Sequence, residues 1–370
     1  MGFRELLHMN PGNGETSYAN NSGLQYVMMS KPWGLVEETL RDLFESAGSS
    51  DCCLNMVDLG CASGPNALSV VSHVMDTIQD LCERSNSLKE VRFFLNDLPH
   101  NDFNNLFKLM DIFNQGNEVA SGSRSRCYVY GLPGSFYSRL FPRTSLHFAY
   151  SSCSLHWLSQ VPRGLESQNK ENIYISTTSP PEVLHAYAEQ YKRDFFTFLR
   201  ARAEEMVPGG CMVLTIPRRC VEDPSTEGEC AFFTILVQTL LDMVSQGLLE
   251  KDDLYSFNMP VYIPCQQEVE SIINHEGSFK LKKIVSFAVC WDANKASDEL
   301  PFDKNRSGKL VADSFRAFME PLLVSHFGKF INCDVLFERF AEKMAEHLSK
   351  ERSSYYMLSI SLKFETTHNM

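Results

Sequence analysis

Through the first 216 residues, short apolar runs alternate with stretches of helical spacing. Leu54, Met56, Val57 and Leu59 read as a strand. Leu68, Val70, Val71, Val74, Met75, Ile78 and Leu81 follow with the period of a helix face. Between them lies Asp58-Leu59-Gly60-Cys61-Ala62-Ser63-Gly64-Pro65-Asn66, which predicts a glycine turn and a helix opened by proline. Proline suits that position because its missing N–H has no helical partner to lose. Apolar runs at 91–95, 146–151 and 212–216 predict further strands, and 34–46, 101–113 and 180–206 predict helices. Strands separated by helices imply parallel pairing in a doubly wound α/β sheet.

Beyond residue 217 the spacing becomes mainly helical, near 230–247, 262–275, 308–325 and 334–349. A polar stretch at 292–307 reads as a loop, and Tyr355 to Phe364 reads as a strand returning to the sheet edge. Residues 1–30 read as a polar, glycine-rich arm. The expected organisation is therefore an arm over the active site (1–30), a nucleotide-binding α/β part (31–216), a mainly helical cap (217–350) and a C-terminal strand with a tail (351–370).

Composition narrows the function. The net charge of −12 argues against nucleic acid, which needs a basic face. No run of 18 uncharged apolar residues suggests a membrane span. The first ten residues are too short and too charged for a secretory signal, so a cytoplasmic protein is expected. The 12 cysteines form no C-x-x-C pair and read as reduced, mostly buried side chains.

The glycine turn points to the ligand. Glycines let backbone approach a ligand closely, and such sheets bind ligands beyond the carboxyl ends of their strands. A dinucleotide fingerprint needs G-x-G-x-x-G with an acidic residue about 20 residues on. Here the glycines follow G-x-x-x-G, and the next strand-end acid is Asp97, in Asn96-Asp97-Leu98. That pattern disfavours a dehydrogenase and suits S-adenosylmethionine, with Asp97 accepting from both ribose hydroxyls. The competing reading makes Asp58 a turn or capping aspartate.

Four segments carry a family resemblance: Met9 with Gly14 to Ser22, Asp58 to Asn66, Leu95-Asn96-Asp97-Leu98-Pro99, and Pro133 to Tyr137 together with Ser154 to Pro162. In these the chain resembles the plant SABATH methyltransferases, which methylate small carboxylic acids or purine alkaloid nitrogens. Asn21 to Gln25, Ser179 to Val183, Asp253 to Asn258 and Val289 to Ala293 look most like the benzoic acid carboxyl methyltransferases. The resemblance implies a methyltransferase sheet with a helical cap, usually a homodimer.

Residue by residue, it implies that Tyr18, Asp58, Asn66, Asp97, Leu98, Ser135 and Phe136 surround S-adenosylmethionine, with Gly60 in the turn and Ser22 adding a polar contact. Gln25 and Trp157 resemble the pair that holds the substrate carboxylate through N–H donors. Phe232, Phe233, Phe315, Phe318 and Tyr355 resemble a flat acyl pocket; taken alone, such aromatics are more often ordinary core. Cys153 stands where many relatives have tyrosine, Pro217 where leucine or asparagine is usual, and Phe233 where salicylate enzymes have tryptophan. His156 stands where a methionine is common and reads as a pocket wall favouring benzoate, nicotinate or a heterocycle. A carboxylate substrate is already ionised near neutral pH, so His156 has no proton to remove. The resemblance also implies a structural magnesium site at Asn172, the Phe257 carbonyl and Asn258, with Tyr255 replacing the usual aspartate. The expected activity is methyl esterification of a small aromatic acid; the alternatives are xanthine N-methylation and non-catalytic acid binding.

Overall fold

A computed structural model describes residues 7–47, 53–85, 90–118, 126–165, 168–226, 228, 231–294 and 301–365. The strands are β1 (Cys53–Leu59), β2 (Glu90–Asp97), β3 (Arg126–Pro133), β4 (Leu146–Ser152), β5 (Met206–Arg218), β6 (Phe279–Cys290) and β7 (Ser354–Phe364). They form one sheet in the order β3-β2-β1-β4-β5-β7-β6. Pairing is parallel from β3 to β5 and antiparallel where β7 joins β5 and β6. The strand order reverses between β1 and β4, which opens a crevice above their carboxyl ends.

The central strands are buried on both faces, and their period of two assigns each residue to a side. Val57, Leu59, Ala149, Met212 and Leu214 pack on one face, against α6 (Pro181–Glu205) and the C-terminal helices. Met56, Phe148, Tyr150, Cys211 and Val213 pack on the other, against α3 (Trp33–Ala47), α4 (Pro65–Ser85) and α5 (Phe103–Glu118). The first core is the larger. It continues through α7 (Ala231–Ser245), α8 (Lys251–Ser256), α9 (Gln266–Glu276), α10 (Lys304–Phe327) and α11 (Cys333–Lys350). No helix among the described residues is long and apolar enough to cross a membrane.

The α/β class and the β1–turn–α4 unit stand as the pattern predicts, and α4 begins at Pro65. Three features differ. The N-terminal arm carries two short helices, α1 (Tyr18–Asn21) and α2 (Gly23–Ser30), and Leu24, Met28 and Met29 are buried. β6 runs through the stretch expected to be mainly helical. β7 does not take the sheet edge, because β6 pairs with its outer side. β3 and β6 escape a pattern reading because each exposes one face: Tyr128 and Tyr130 on β3, Lys280, Lys282 and Lys283 on β6. Exposed lysines on an edge strand, as on β6, resist pairing with other chains.

Candidate active site

The glycine turn sits at the switch point. Gly60 adopts φ +84°, and a Cβ there would meet Ser154 Oγ at 2.2 Å. Ser154 Oγ itself donates to the Gly60 carbonyl at 3.2 Å. The amides of Gly60 and Cys61 donate to the Asn96 carbonyl at 2.9 and 3.0 Å. Asp97 fixes the rest: Oδ2 accepts from the Ala62 amide and Oδ1 from the Leu98 amide, both at 2.7 Å. Asn101 Nδ2 donates to the Ala62 carbonyl and Asn105 Nδ2 to the Ser63 carbonyl. The Asp97 carboxylate is thus a brace for the turn, and each oxygen keeps a further lone pair for a ligand hydroxyl.

The loop after β3 brings Ser135 and Phe136 to the same place. Asn96 Nδ2 donates to the carbonyls of Leu132 and Gly134, and the Gly134 amide donates to the Asp97 carbonyl. From behind, the buried Arg202–Glu205 ion pair holds the loop. Arg202 donates to the carbonyls of Phe136 and Ser138, and Glu205 accepts from the amides of Leu140 and Phe141. The arm closes on the other side: Asn66 Nδ2 donates to the Ser22 carbonyl at 2.9 Å. A Cβ on Gly64 would lie 3.1 Å from Ala19 Cα, so glycine lets α1 rest on the turn. Further out, the Gly12 amide donates to Asp102 and Asn10 Nδ2 donates to Glu320.

Electrostatics here favour a cation. Burial pushes the Asp58 carboxyl up to about 8, and the neighbouring Asp97 charge adds to it. Burial raises Asp97 to about 6, against the opposing pull of the Ala62 and Leu98 amides. Burial also raises the Tyr18 hydroxyl, helped by the nearby Cys153, Asp97 and Asp58. Both carboxyls bind protons more tightly in the fold than free in water. On their own they therefore cost the fold stability as pH rises from the ordinary carboxylate value near 4 towards 8. A positively charged ligand beside Asp58 offsets that cost, and S-adenosylmethionine carries a sulfonium and an ammonium. Its affinity should consequently rise with pH, by up to roughly seventyfold from pH 6 to pH 8.5, the growth in the ionised fraction of a carboxyl with pKa about 8. Calorimetric titrations across that range check this; a flat affinity would remove Asp58 from the cation's surroundings.

A cavity of about 450 Å³ opens beside the turn. Gln25, Cys153, His156, Trp157, Pro217, Phe232, Phe233, Phe315, Phe318 and Tyr355 all line it, and Tyr18 reaches it from the cofactor side. Phe232 and Phe315 form the buried wall, with ring centroids 4.5 Å apart; Phe318 meets Phe315 at 4.7 Å. The segment bearing Trp157 is pinned from both sides. Tyr137 Oη donates to the Trp157 carbonyl at 2.6 Å, and the Tyr262 amide donates to the His156 carbonyl at 2.8 Å. Trp157 lines the cavity and no hydrogen bond engages its indole N–H among the described residues, whereas Gln25 Nε2 makes a long 3.4 Å contact to Ser314 Oγ. Burial lowers His156 to about 4, so its ring is neutral at physiological pH, and its buried Nδ1 has no partner. Cys153 adopts φ +55°, which directs Sγ to within 3.7 Å of Met28 Sδ.

The family model for SAM-dependent carboxyl methyltransferases matches residues 4–365. The chain belongs to this family. The probable jasmonic acid carboxyl methyltransferase 2 of Theobroma cacao is 43% identical, the match covering 98% of this chain and 99% of that protein. The salicylate carboxymethyltransferase of Clarkia breweri is likewise 43% identical over 98% of this chain and 99% of its own length. Among solved structures, loganic acid methyltransferase with S-adenosylhomocysteine superposes with a TM-score of 0.81. It is 28% identical, and the match covers 98% of this chain and all of that one. This carboxyl methyltransferase therefore uses S-adenosylmethionine, and the braced turn with its two acidic groups fits that ligand.

The magnesium positions do not fit their ion. In this methyltransferase Asn258 Oδ1 accepts from Asn169 and Asn172 Oδ1 accepts from Ser176, while Tyr255 Oη donates to Glu171. Both amide oxygens already have donors and neither residue is a carboxylate, whereas magnesium selects carboxylate and water oxygens. No group of three His, Cys, Asp or Glu side chains suited to a metal occurs among the described residues.

Several contributors were not foreseen. Asn96, Asn101, Asn105 and Ser154 brace the turn, and only their contacts in the fold distinguish them from surface polar residues. Leu24 and Met28 line the cavity with Gln25, and their spacing on α2 was a readable helix face. Arg218, the last residue of β5, also lines the cavity.

Proposed function

We propose that this carboxyl methyltransferase esterifies a small aromatic carboxylic acid, with benzoate preferred. One observation carries the reading: the phenylalanine wall and the two N–H donors, Gln25 and Trp157, line a single cavity that Tyr18 joins to the cofactor turn. A flat apolar slot takes a ring, and the donors suit the carboxylate. Bound S-adenosylmethionine supplies the activated methyl group. Gln25 and Trp157 hold the acid so that one carboxylate oxygen lies in line with the methyl carbon and sulfur. The oxygen–carbon bond forms as the carbon–sulfur bond breaks, and sulfur keeps the electron pair. No proton moves, and neutral His156 serves as a wall. Alignment and water exclusion by the phenylalanines are the chain's contribution to rate. N-methylation of a xanthine finds less support, because ring carbonyls need polar partners that the Phe232–Phe315–Phe318 wall does not offer.

His156 is the proposed discriminator between acids. Salicylate closes an internal hydrogen bond and fits best against an apolar wall, which the unpartnered imidazole nitrogen disturbs. His156→Met should move the benzoate-to-salicylate ratio of specificity constants towards salicylate by about tenfold, roughly 1.4 kcal/mol of differential transition-state binding. Both acids compete in one reaction and the two methyl esters are counted. A wild type that already prefers salicylate, or a ratio that does not move, takes the choice of acid away from His156.

A further inference from the structure

The cavity has a charged mouth that a simple benzoate does not use. Its deep part is made by buried Trp157, Phe232 and Phe315, whereas Thr226 and Arg352 are exposed at its rim. A volume of about 450 Å³ falls in the range of roughly 300–1,000 Å³ usual for ligand pockets and leaves room beyond a single ring. Half-buried Arg218 stands at this mouth, opposite Tyr356 of β7 in the sheet register.

Arg218 differs from the other arginines here. Arg219 pairs with Glu268 and donates to the carbonyls of Glu222 and Ile263. Arg352 pairs with both oxygens of Asp292 and lies over the Phe302 ring. Arg218 makes one contact of its guanidinium, to the Arg219 carbonyl at 3.3 Å, and its Nε is buried with no acceptor. No carboxylate lies within ion-pair distance of it among the described residues. A guanidinium has five N–H donors and matches a carboxylate with a two-pronged fork. The enclosed Nε is out of a ligand's reach, but Nη2 is not enclosed and makes no hydrogen bond to the described residues, so it suits an anionic oxygen group entering from the mouth.

We propose that Arg218 is a second substrate anchor, so that among para-extended aromatic acids a two-ended acid is favoured over its one-ended counterpart. The carboxylate to be methylated sits at Gln25 and Trp157, and a distal carboxylate reaches Arg218. This rests on the aromatic-acid reading above and refines its substrate class.

The test is competition between para-(carboxyethyl)benzoate and para-propylbenzoate, which differ only at the far end, with the ring methyl esters separated and counted. The wild type should favour the diacid, Arg218→Met should reduce the diacid-to-monoacid ratio by roughly tenfold, the size of one lost charge-assisted hydrogen bond, and Arg218→Lys should keep part of it. Because both acids share one tube, partial loss of folded protein does not alter the ratio. A ratio that stays within about twofold in Arg218→Met overturns the second anchor while leaving the carboxylate reading in place. If the wild type esterifies benzoate but neither para-substituted acid, the second anchor falls alone; if it esterifies none of the three although S-adenosylhomocysteine binds, the aromatic-acid reading falls and Arg218 with it.

Discussion

Asp97→Ala should abolish useful cofactor binding, with S-adenosylhomocysteine held at least about tenfold and up to roughly a hundredfold more weakly. Two losses combine. The ribose hydroxyls lose their acceptor, and the amides of Ala62 and Leu98 lose the oxygens that set the turn. A hydrogen bond to a charged group is worth about 1.5–3 kcal/mol, and a buried donor left alone adds its own desolvation cost. Asp97→Asn separates the two roles. Its amide keeps one oxygen for an amide donor but sets an N–H against the other, so the turn is disturbed less than in the alanine variant. Calorimetry of S-adenosylhomocysteine binding, with thermal melts of both variants, checks the expectation. Unchanged affinity in Asp97→Ala would sink the cofactor placement at this turn.

Trp157→Phe should lower kcat/KM for the carboxylic acid by about tenfold to a hundredfold, the equivalent of one hydrogen bond to an anion, while S-adenosylhomocysteine binds almost as before. The indole lines the cavity and its N–H makes no hydrogen bond among the described residues, so its loss orphans nothing in the fold. Phenylalanine keeps the edge-on packing against Phe318. Gln25→Ala should lower turnover less, because Gln25 also leans on Ser314 across to α10. Steady-state kinetics beside a binding isotherm decides the matter. Equal losses of turnover and cofactor affinity would contradict the division between the acid-holding pair and the cofactor turn.

Those two residues show what a sequence can and cannot carry. β1, its glycine turn and α4 were legible because an apolar run, two glycines and a proline mark three changes of backbone state within a dozen positions. The cavity residues were legible only through resemblance, since Phe232 or Phe315 alone has the look of ordinary core. The bracing of the turn by Asp97 was not legible, because it depends on which backbone amides the turn aims at its carboxylate. Arg218 and Arg219 are neighbours of one type, yet Glu268 meets the second and, among the described residues, no carboxylate meets the first. Strands β3 and β6 were missed for a simpler reason: half of each faces water, so neither shows a continuous apolar run. The magnesium positions were carried by resemblance as well, and the fold spends their amide oxygens on hydrogen bonds to Asn169 and Ser176.

The most direct test of the central claim is the chemical fate of the transferred methyl group. The purified protein is incubated with methyl-labelled S-adenosylmethionine and, in parallel, benzoate, salicylate and a xanthine, and each product is treated with mild alkali. An ester releases its label as methanol, whereas an N-methyl group keeps it. The structure predicts alkali-labile label from the aromatic acids, most of it from benzoate, and almost none from the xanthine. Alkali-stable label on the xanthine, or no transfer to any acid by a protein that binds S-adenosylhomocysteine, would contradict it.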